Sequence, residues 1–229
     1  MTEQPLLAAY GRLLDHYGPQ HWWPAETTFE IIVGAVLTQS TAWRNVELAL
    51  ARLAQRGLLD PAAMHRASPD TLEEAIRPAG YFRAKARTLR GFLSLLTDEY
   101  GGSLERMLKT PGPVLRRQLL GVRGIGPETA DSILVYAAGY PVFVVDAYAR
   151  RMVARAGWLP AGKLGYDELQ SAFHRELPAD PAVLGEYHAL IVALGKDCCR
   201  KQRPRCAACP LRDLCAAGLA ATGAPATPA

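Results

Sequence analysis

Apolar residues recur at steps of three and four along most of the chain, which predicts a protein built almost wholly of helices. Leu6, Tyr10, Leu13, Leu14 and Tyr17 form one such stripe, and Leu89, Phe92, Leu93 and Leu96 form another. Ser68-Pro69 reads as a helix start, with a capping hydroxyl followed by a proline whose missing N–H costs nothing in the first turn. Gly157 is placed to end a helix over roughly 147–156. The run Val142 to Val145 is the one strand-like segment. It has no second run to pair with and is expected to be an extended connector. Residues 216–229 are Ala, Gly, Thr and Pro with almost no large apolar side chain, so a disordered tail is expected there.

Composition changes this picture little. Apolar residues make up 49% and charged residues 21% of the 229 positions, as in an ordinary globular protein. Residues 1–20 carry Glu3, Arg12, Asp15 and His16, unlike an export signal, and apolar runs such as 31–37 are too short to span a bilayer. A cytoplasmic protein with no membrane partner is therefore expected. The net charge of +4 is too mild to identify a partner, so the placement of the charges matters more. The cysteines are more informative. All five lie between positions 198 and 215, where a disulfide framework would scatter them, and this points to a metal centre.

Two segments carry candidate chemistry. In Leu119-Leu120-Gly121-Val122-Arg123-Gly124-Ile125-Gly126-Pro127-Glu128-Thr129-Ala130, helices over roughly 113–120 and 127–138 flank a Gly-x-Gly turn. The glycines permit positive φ and expose N–H groups at a helix N-terminus, a device that binds phosphate without reading sequence. A plain helix–helix turn uses the same residues. In Val144-Val145-Asp146-Ala147-Tyr148 an aspartate opens a helix, which by itself fits an N-cap. Further on, Cys199, Cys206, Cys209 and Cys215 follow C-x6-C-x2-C-x5-C, a spacing that lets four thiolates converge on zinc or on an iron–sulfur cluster. Between the first two stand Arg200, Lys201, Arg203 and Arg205, a basic loop suited to phosphates.

Together the hairpin and the following Val-Asp resemble the helix-hairpin-helix DNA glycosylase superfamily, over residues 20–215. The resemblance implies an all-α fold of two helical lobes flanking a DNA groove. Residues 24–141 would form a six-helix barrel ending in the hairpin, and residues 1–23 with 142–215 a cluster lobe. It further implies a monomer acting on damaged double-stranded DNA in the nucleoid. Asp146 would be the catalytic carboxylate, facing Glu128 at the junction, with Gly124, Ile125 and Gly126 on a DNA phosphate and a monovalent cation at the hairpin. A fixed carboxylate suits the task, because breaking an N-glycosidic bond builds positive charge on the sugar. The complete cysteine spacing is similar to the [4Fe-4S] loop of endonuclease III, with Cys198 left over as a free thiol. Bifunctional endonuclease III members place a Schiff-base lysine where this chain has Glu128. A carboxylate cannot form that imine, so a monofunctional glycosylase is expected. Lys85 and Lys196 have no sequence signal placing them near the hairpin.

The segment His21-Trp22-Trp23-Pro24, with Leu37-Thr38-Gln39 and Trp43, resembles the pocket of the 3-methyladenine glycosylase branch. Indole faces attract cations, and N-alkylated purines are cationic, so an alkylated purine is the favoured substrate. Endonuclease III-type removal of oxidised pyrimidines with lyase activity is the main alternative, and a non-catalytic damaged-DNA-binding protein is another. Adenine removal opposite oxidised guanine is disfavoured, because the glutamate it needs falls on Gly34. By the same alignment Tyr81 would wedge the gap left by the flipped base, with Arg83 and Lys85 near phosphates, and Gln39 or Ser40 would approach the orphaned base.

Overall fold

The computed structural model describes residues 4–159 and 164–221. In chain order these form α1 (Pro5–Tyr17), α2 (Thr28–Leu37), α3 (Trp43–Gln55), α4 (Pro61–Arg66), α5 (Pro69–Ile76), α6 (Phe82–Tyr100), α7 (Leu104–Leu108), α8 (Gly112–Gly121), α9 (Pro127–Ser132), α10 (Ala147–Ala156), α11 (Tyr166–Glu176), α12 (Pro181–Asp197) and α13 (Ala216–Ala221), with short 3₁₀ and π turns between some of them. No strand occurs among the described residues, so the fold is all-α as expected. No helix among them is long and apolar enough to cross a membrane.

The chain divides into two compact units, Trp23–Tyr140 and Met1–Trp22 with Pro141–Ala229. The first is built around α2. Its residues Phe29, Ile32, Val33, Ala35, Val36 and Leu37 are all buried, as in a helix enclosed by others on every side. The predicted stripe of α6 is buried at Leu89, Phe92, Leu93 and Leu96. Ser68 caps α5 by accepting from the Thr71 N–H at 3.2 Å, with Pro69 in the first turn. Helix α9 continues into a π-helical turn, Ile133–Ala137, so the second arm of the hairpin is not regular to its end. Such turns often re-aim a side chain at a functional site.

The second unit has its own core. Phe143 stacks on Phe173 with centroids 3.7 Å apart, and Leu6, Leu13, Tyr187 and Leu190 close around them. Residues 141–146 belong to no helix and pair with no strand. Buried backbone must still be hydrogen-bonded, and here side chains do the work. The Phe143 N–H donates to His174 Nε2 at 2.9 Å, the Val145 N–H donates to Tyr166 Oη at 3.3 Å, and Gln170 Nε2 donates to the Phe143 carbonyl at 2.7 Å. Helix α10 then runs from its N-cap Asp146 to Gly157, whose φ of 72° needs the left-handed region.

The expected tail is corrected in part. Residues 216–221 form α13, and 222–229 lie outside the described residues. Its alanines need no large side chain to pack, because Gly218 lies directly on the Arg212 backbone and would have no room for a Cβ.

Candidate active-site and DNA-contact residues

In the Trp23–Tyr140 unit the hairpin joins α8 to α9. Gly124 alone in its turn has positive φ, at 96°, and it sits so close to Thr88 that a Cβ would collide with that hydroxyl. Gly126 is extended, with φ −95°, a conformation open to any residue, so only the first glycine is required by its backbone. The Ile125 N–H donates to the Val122 carbonyl at 3.0 Å, and the Ile125 side chain is buried. Ile125 is therefore a turn-former and not the phosphate donor expected of it. Thr88 Oγ1 reaches the Arg123 carbonyl at 3.2 Å, and Gln39 Nε2 donates to the Gly124 carbonyl and to Thr129 Oγ1, each at 2.9 Å. The hairpin is thus held from α6 and from the end of α2. Glu128 is exposed on the first turn of α9.

Two exposed turns of this unit carry non-glycine residues in the left-handed region: Ser40 with φ 51° and Tyr81 with φ 44°. Such backbone is uncommon outside glycine and marks constrained positions. Tyr81 is 75% exposed. Arg83 is also exposed, 3.6 Å from Glu73.

Lys85 departs from expectation. It is 3% exposed, and its Nζ donates to the carbonyls of Leu37 at 2.9 Å and Ala79 at 2.7 Å and to Thr41 Oγ1 at 2.7 Å. Three acceptors occupy an ammonium with three protons. Lys85 therefore cannot serve as a surface phosphate contact, and burial lowers its pKa to about 8.

The aromatic side chains are brought together only in part. Trp23 meets Trp43 edge-on at 5.6 Å and Tyr136 at 5.5 Å. The Nε1–Cζ2 edge of its indole lies against Gly34, where an added Cβ would stand 3.0 Å from Cζ2. Trp43 is itself oriented by a 2.8 Å bond from Nε1 to Glu47 Oε1. Pro24 is exposed beside Trp23, while Trp22 belongs to the other unit. Tyr136 was not foreseen. It comes from the π-helical turn after α9, and nothing in the sequence sets it apart from an ordinary helix residue.

In the second unit Asp146 is 7% exposed. Its Oδ1 accepts from the Ala149 N–H at 2.7 Å, and its Oδ2 lies 3.7 Å from His188 Nε2 on α12. The N-cap role is thus real, and one oxygen is committed to it. His188, 42 positions along the chain from Asp146, gave no signal in sequence.

Cys199, Cys206, Cys209 and Cys215 border one small cavity together with Arg155 and Arg212. The donor set is four soft sulfurs, and donors are aimed at them. Arg155 Nη1 approaches Cys199 Sγ at 3.4 Å, the Leu211 N–H points at Cys209, and the N–H groups of Ala217 and Gly218 point at Cys215. Such donors stabilise thiolates and cluster ligands. As a free thiol Cys209 is pushed up to about 11 by burial, and burial raises Cys215 as well. Among the described residues no three His, Cys, Asp or Glu side chains converge as they would on a single metal ion. Cys198, 1% exposed, also borders the cavity, but its one thiol proton has acceptors outside it, Asp197 Oδ2 at 3.1 Å and the Ala208 carbonyl at 3.6 Å.

Arg200, Lys201, Arg203 and Arg205 are all exposed on the loop between the first two cysteines. Its brace is Arg155, whose guanidinium donates to the carbonyls of Arg200 at 2.7 Å and Lys201 at 3.1 Å, while Arg205 lies 3.3 Å from Asp197.

Residues 33–178 match the family model of the HhH-GPD superfamily base excision DNA repair proteins. A putative DNA repair glycosylase of Methanocaldococcus jannaschii is 45% identical over 208 residues, covering 90% of this chain and 93% of that protein. Endonuclease III of Thermotoga maritima is 29% identical over 82% of each chain. Among solved structures, a trapped endonuclease III–DNA covalent intermediate matches with a TM-score of 0.82 at 24% identity, over 97% of this chain and 99% of that one. The 3-methyladenine DNA glycosylase MagIII of H. pylori, bound to 1,N6-ethenoadenine, matches with a TM-score of 0.73 at 28% identity, over 83% and 95%.

Proposed function

Because the chain belongs to the HhH-GPD superfamily of base excision DNA repair proteins, we propose that it is a monofunctional DNA glycosylase releasing alkylated purines from double-stranded DNA. The DNA glycosylase class follows from the family, and DNA-bound neighbours support DNA as the partner. The substrate and the water-driven reaction are our reading. The observation that carries it is the aromatic cluster of Trp23, Trp43 and Tyr136 seated on Gly34. Electron-rich faces favour a cationic base, and its weakened glycosidic bond leaves little need for hydrogen-bond readout.

In this reading Asp146 supplies the chemistry. With Oδ1 held by the Ala149 N–H, stabilising the sugar cation and deprotonating water fall to Oδ2. Glu128 has no amine to attack C1′, so the strand is left intact at the abasic site. Tyr81 acts as the wedge and Ser40 and Gln39 meet the orphaned base, a reading supported by the exposure of Tyr81 and the two strained turns. Arg200, Lys201, Arg203 and Arg205 meet the phosphates.

The four cysteines hold a [4Fe-4S] cluster whose contribution is to fix the fold of this loop. A zinc ion needs each sulfur about 2.3 Å from one point. A cubane is wider, which suits thiols placed around a cavity. Iron and sulfide analysis of anaerobically purified protein should find about four of each per chain, with visible cluster absorption lost in Cys206→Ser. Stoichiometric zinc without iron would overturn this assignment.

Base release from duplexes carrying 7-methylguanine, 3-methyladenine, 1,N6-ethenoadenine, thymine glycol or uracil tests the function, with borohydride present throughout. Release of the alkylated purines without a trapped adduct is expected. Release of thymine glycol with efficient trapping would favour the endonuclease III reading instead, for which the closer structural match to endonuclease III speaks.

A further inference from the structure

Lys85 is a charged group sealed away from solvent in a protein whose partner is a polyanion, and the chemistry described above does not use it. Its three acceptors come from three places. The Leu37 carbonyl ends α2 and Thr41 follows Ser40, while the Ala79 carbonyl lies two residues before Tyr81. Thr41 Oγ1 has one proton to donate, with the Ala79 carbonyl and, at 3.2 Å, the Gln39 carbonyl both in reach. Lys85 itself stands on the first turn of α6, which Tyr81 opens. The ammonium thus ties the Ser40 turn to the Tyr81 turn, beside the direct bond from Thr41 to the Ala79 carbonyl.

We propose that Lys85 is the positioning residue of the wedge: its ammonium locks the Ser40 and Tyr81 turns into the left-handed conformations that present both side chains to the DNA. This rests on the reading of Tyr81 as the wedge. The physical argument is one of cost. Holding two non-glycine residues at positive φ is unfavourable, so the surrounding structure must impose those conformations. The ends of the two turns carry carbonyls that α2 and the 3₁₀ turn Arg77–Ala79 leave without helical donors. Lys85 supplies those donors from one atom, which fixes the turns relative to each other as well as individually. A neutral side chain of similar length fills the space but takes the donor from the Leu37 carbonyl and leaves the Ala79 carbonyl to Thr41 alone.

The test uses the full chain and a duplex containing a tetrahydrofuran abasic site opposite 2-aminopurine, whose fluorescence rises on unstacking. This probe needs no base excision and does not depend on which lesion is the substrate. Wild type should brighten it. Tyr81→Ala and Lys85→Met should each abolish most of the brightening and weaken binding about tenfold. The double variant should be no worse than either single one, since both remove the same insertion. A Lys85→Met protein that brightens the probe like wild type, while Tyr81→Ala does not, overturns the positioning role and leaves the wedge intact. Additive losses overturn it too. An unaffected Tyr81→Ala removes the wedge reading and this inference with it. If Lys85→Met fails to fold by circular dichroism, Lys85→Gln removes the ammonium but keeps a shorter side chain with N–H donors, and leaves the bond from Thr41 to the Ala79 carbonyl in place. It should lose part of the brightening while binding normally to a duplex already bulged at the site, and equal losses on both duplexes would again overturn the role.

Discussion

Replacing Asp146 by asparagine is expected to lower base release by at least about a hundredfold while leaving DNA binding and thermal stability near wild type. The two halves of that outcome have separate physical causes. Asparagine is as good an N-cap as aspartate, because its side-chain oxygen accepts the same N–H, so the 2.7 Å bond from Ala149 survives. The amide has no negative charge to offer a developing sugar cation and cannot take a proton from water. Asp146→Ala is the useful contrast. It loses activity and the cap together, at a cost of about 1 kcal/mol, or a melting point lower by a few degrees. Single-turnover release from a 7-methylguanine duplex, with binding measured alongside, reads both. Near-wild-type release by the asparagine variant would mean that the carboxylate is a helix cap and nothing more and that another group carries the chemistry, whereas binding without release by the wild-type protein would favour the non-catalytic damage-binding alternative.

The sequence exposed those parts of the fold and the candidate site that are written locally. The cysteine spacing needs only seventeen residues of chain to be read, and the thiols at 199, 206, 209 and 215 do border one cavity. The hairpin glycines are local too, although only Gly124 needs its freedom. The Ser68 cap and the Gly157 stop follow from single residues and the backbone groups beside them. What escaped is tertiary. A lysine among Arg83 and Arg87 looks like one more surface cation, and only the arrival of carbonyls from 37 and 79 around it makes it a strut. Tyr136 joins Trp23 from the π turn after α9, and His188 and Arg155 reach the aspartate and the cysteine loop from other parts of the chain. The helix at 216–221 was missed because composition counts large side chains, whereas this helix packs through a glycine on backbone.

The largest effect on stability is expected where no site chemistry lies, at the ion pair between the two arms of the hairpin. Arg116 on α8 grips Asp131 on α9 with two parallel bonds, Nε to Oδ1 at 2.7 Å and Nη2 to Oδ2 at 3.1 Å. The aspartate side chain is fully buried and the arginine is 26% exposed. Burying a carboxylate costs several kcal/mol, which this fork-on-fork geometry offsets. Arg116→Ala removes the compensation and keeps the cost, so it should destabilise the protein by about 3–5 kcal/mol and lower its melting point by roughly 10 °C. The double variant Arg116→Met with Asp131→Leu removes the cost as well, and it should recover most of the loss, since apolar replacements of similar volume often match a buried ion pair. Denaturant melts of the three proteins decide it. A loss under about 1 kcal/mol in Arg116→Ala would place the pair with ordinary surface bridges. Recovery in the double variant would show instead that the charge serves to fix how the arms meet, and binding of that variant to an abasic duplex would then report how far the phosphate-facing turn depends on that register.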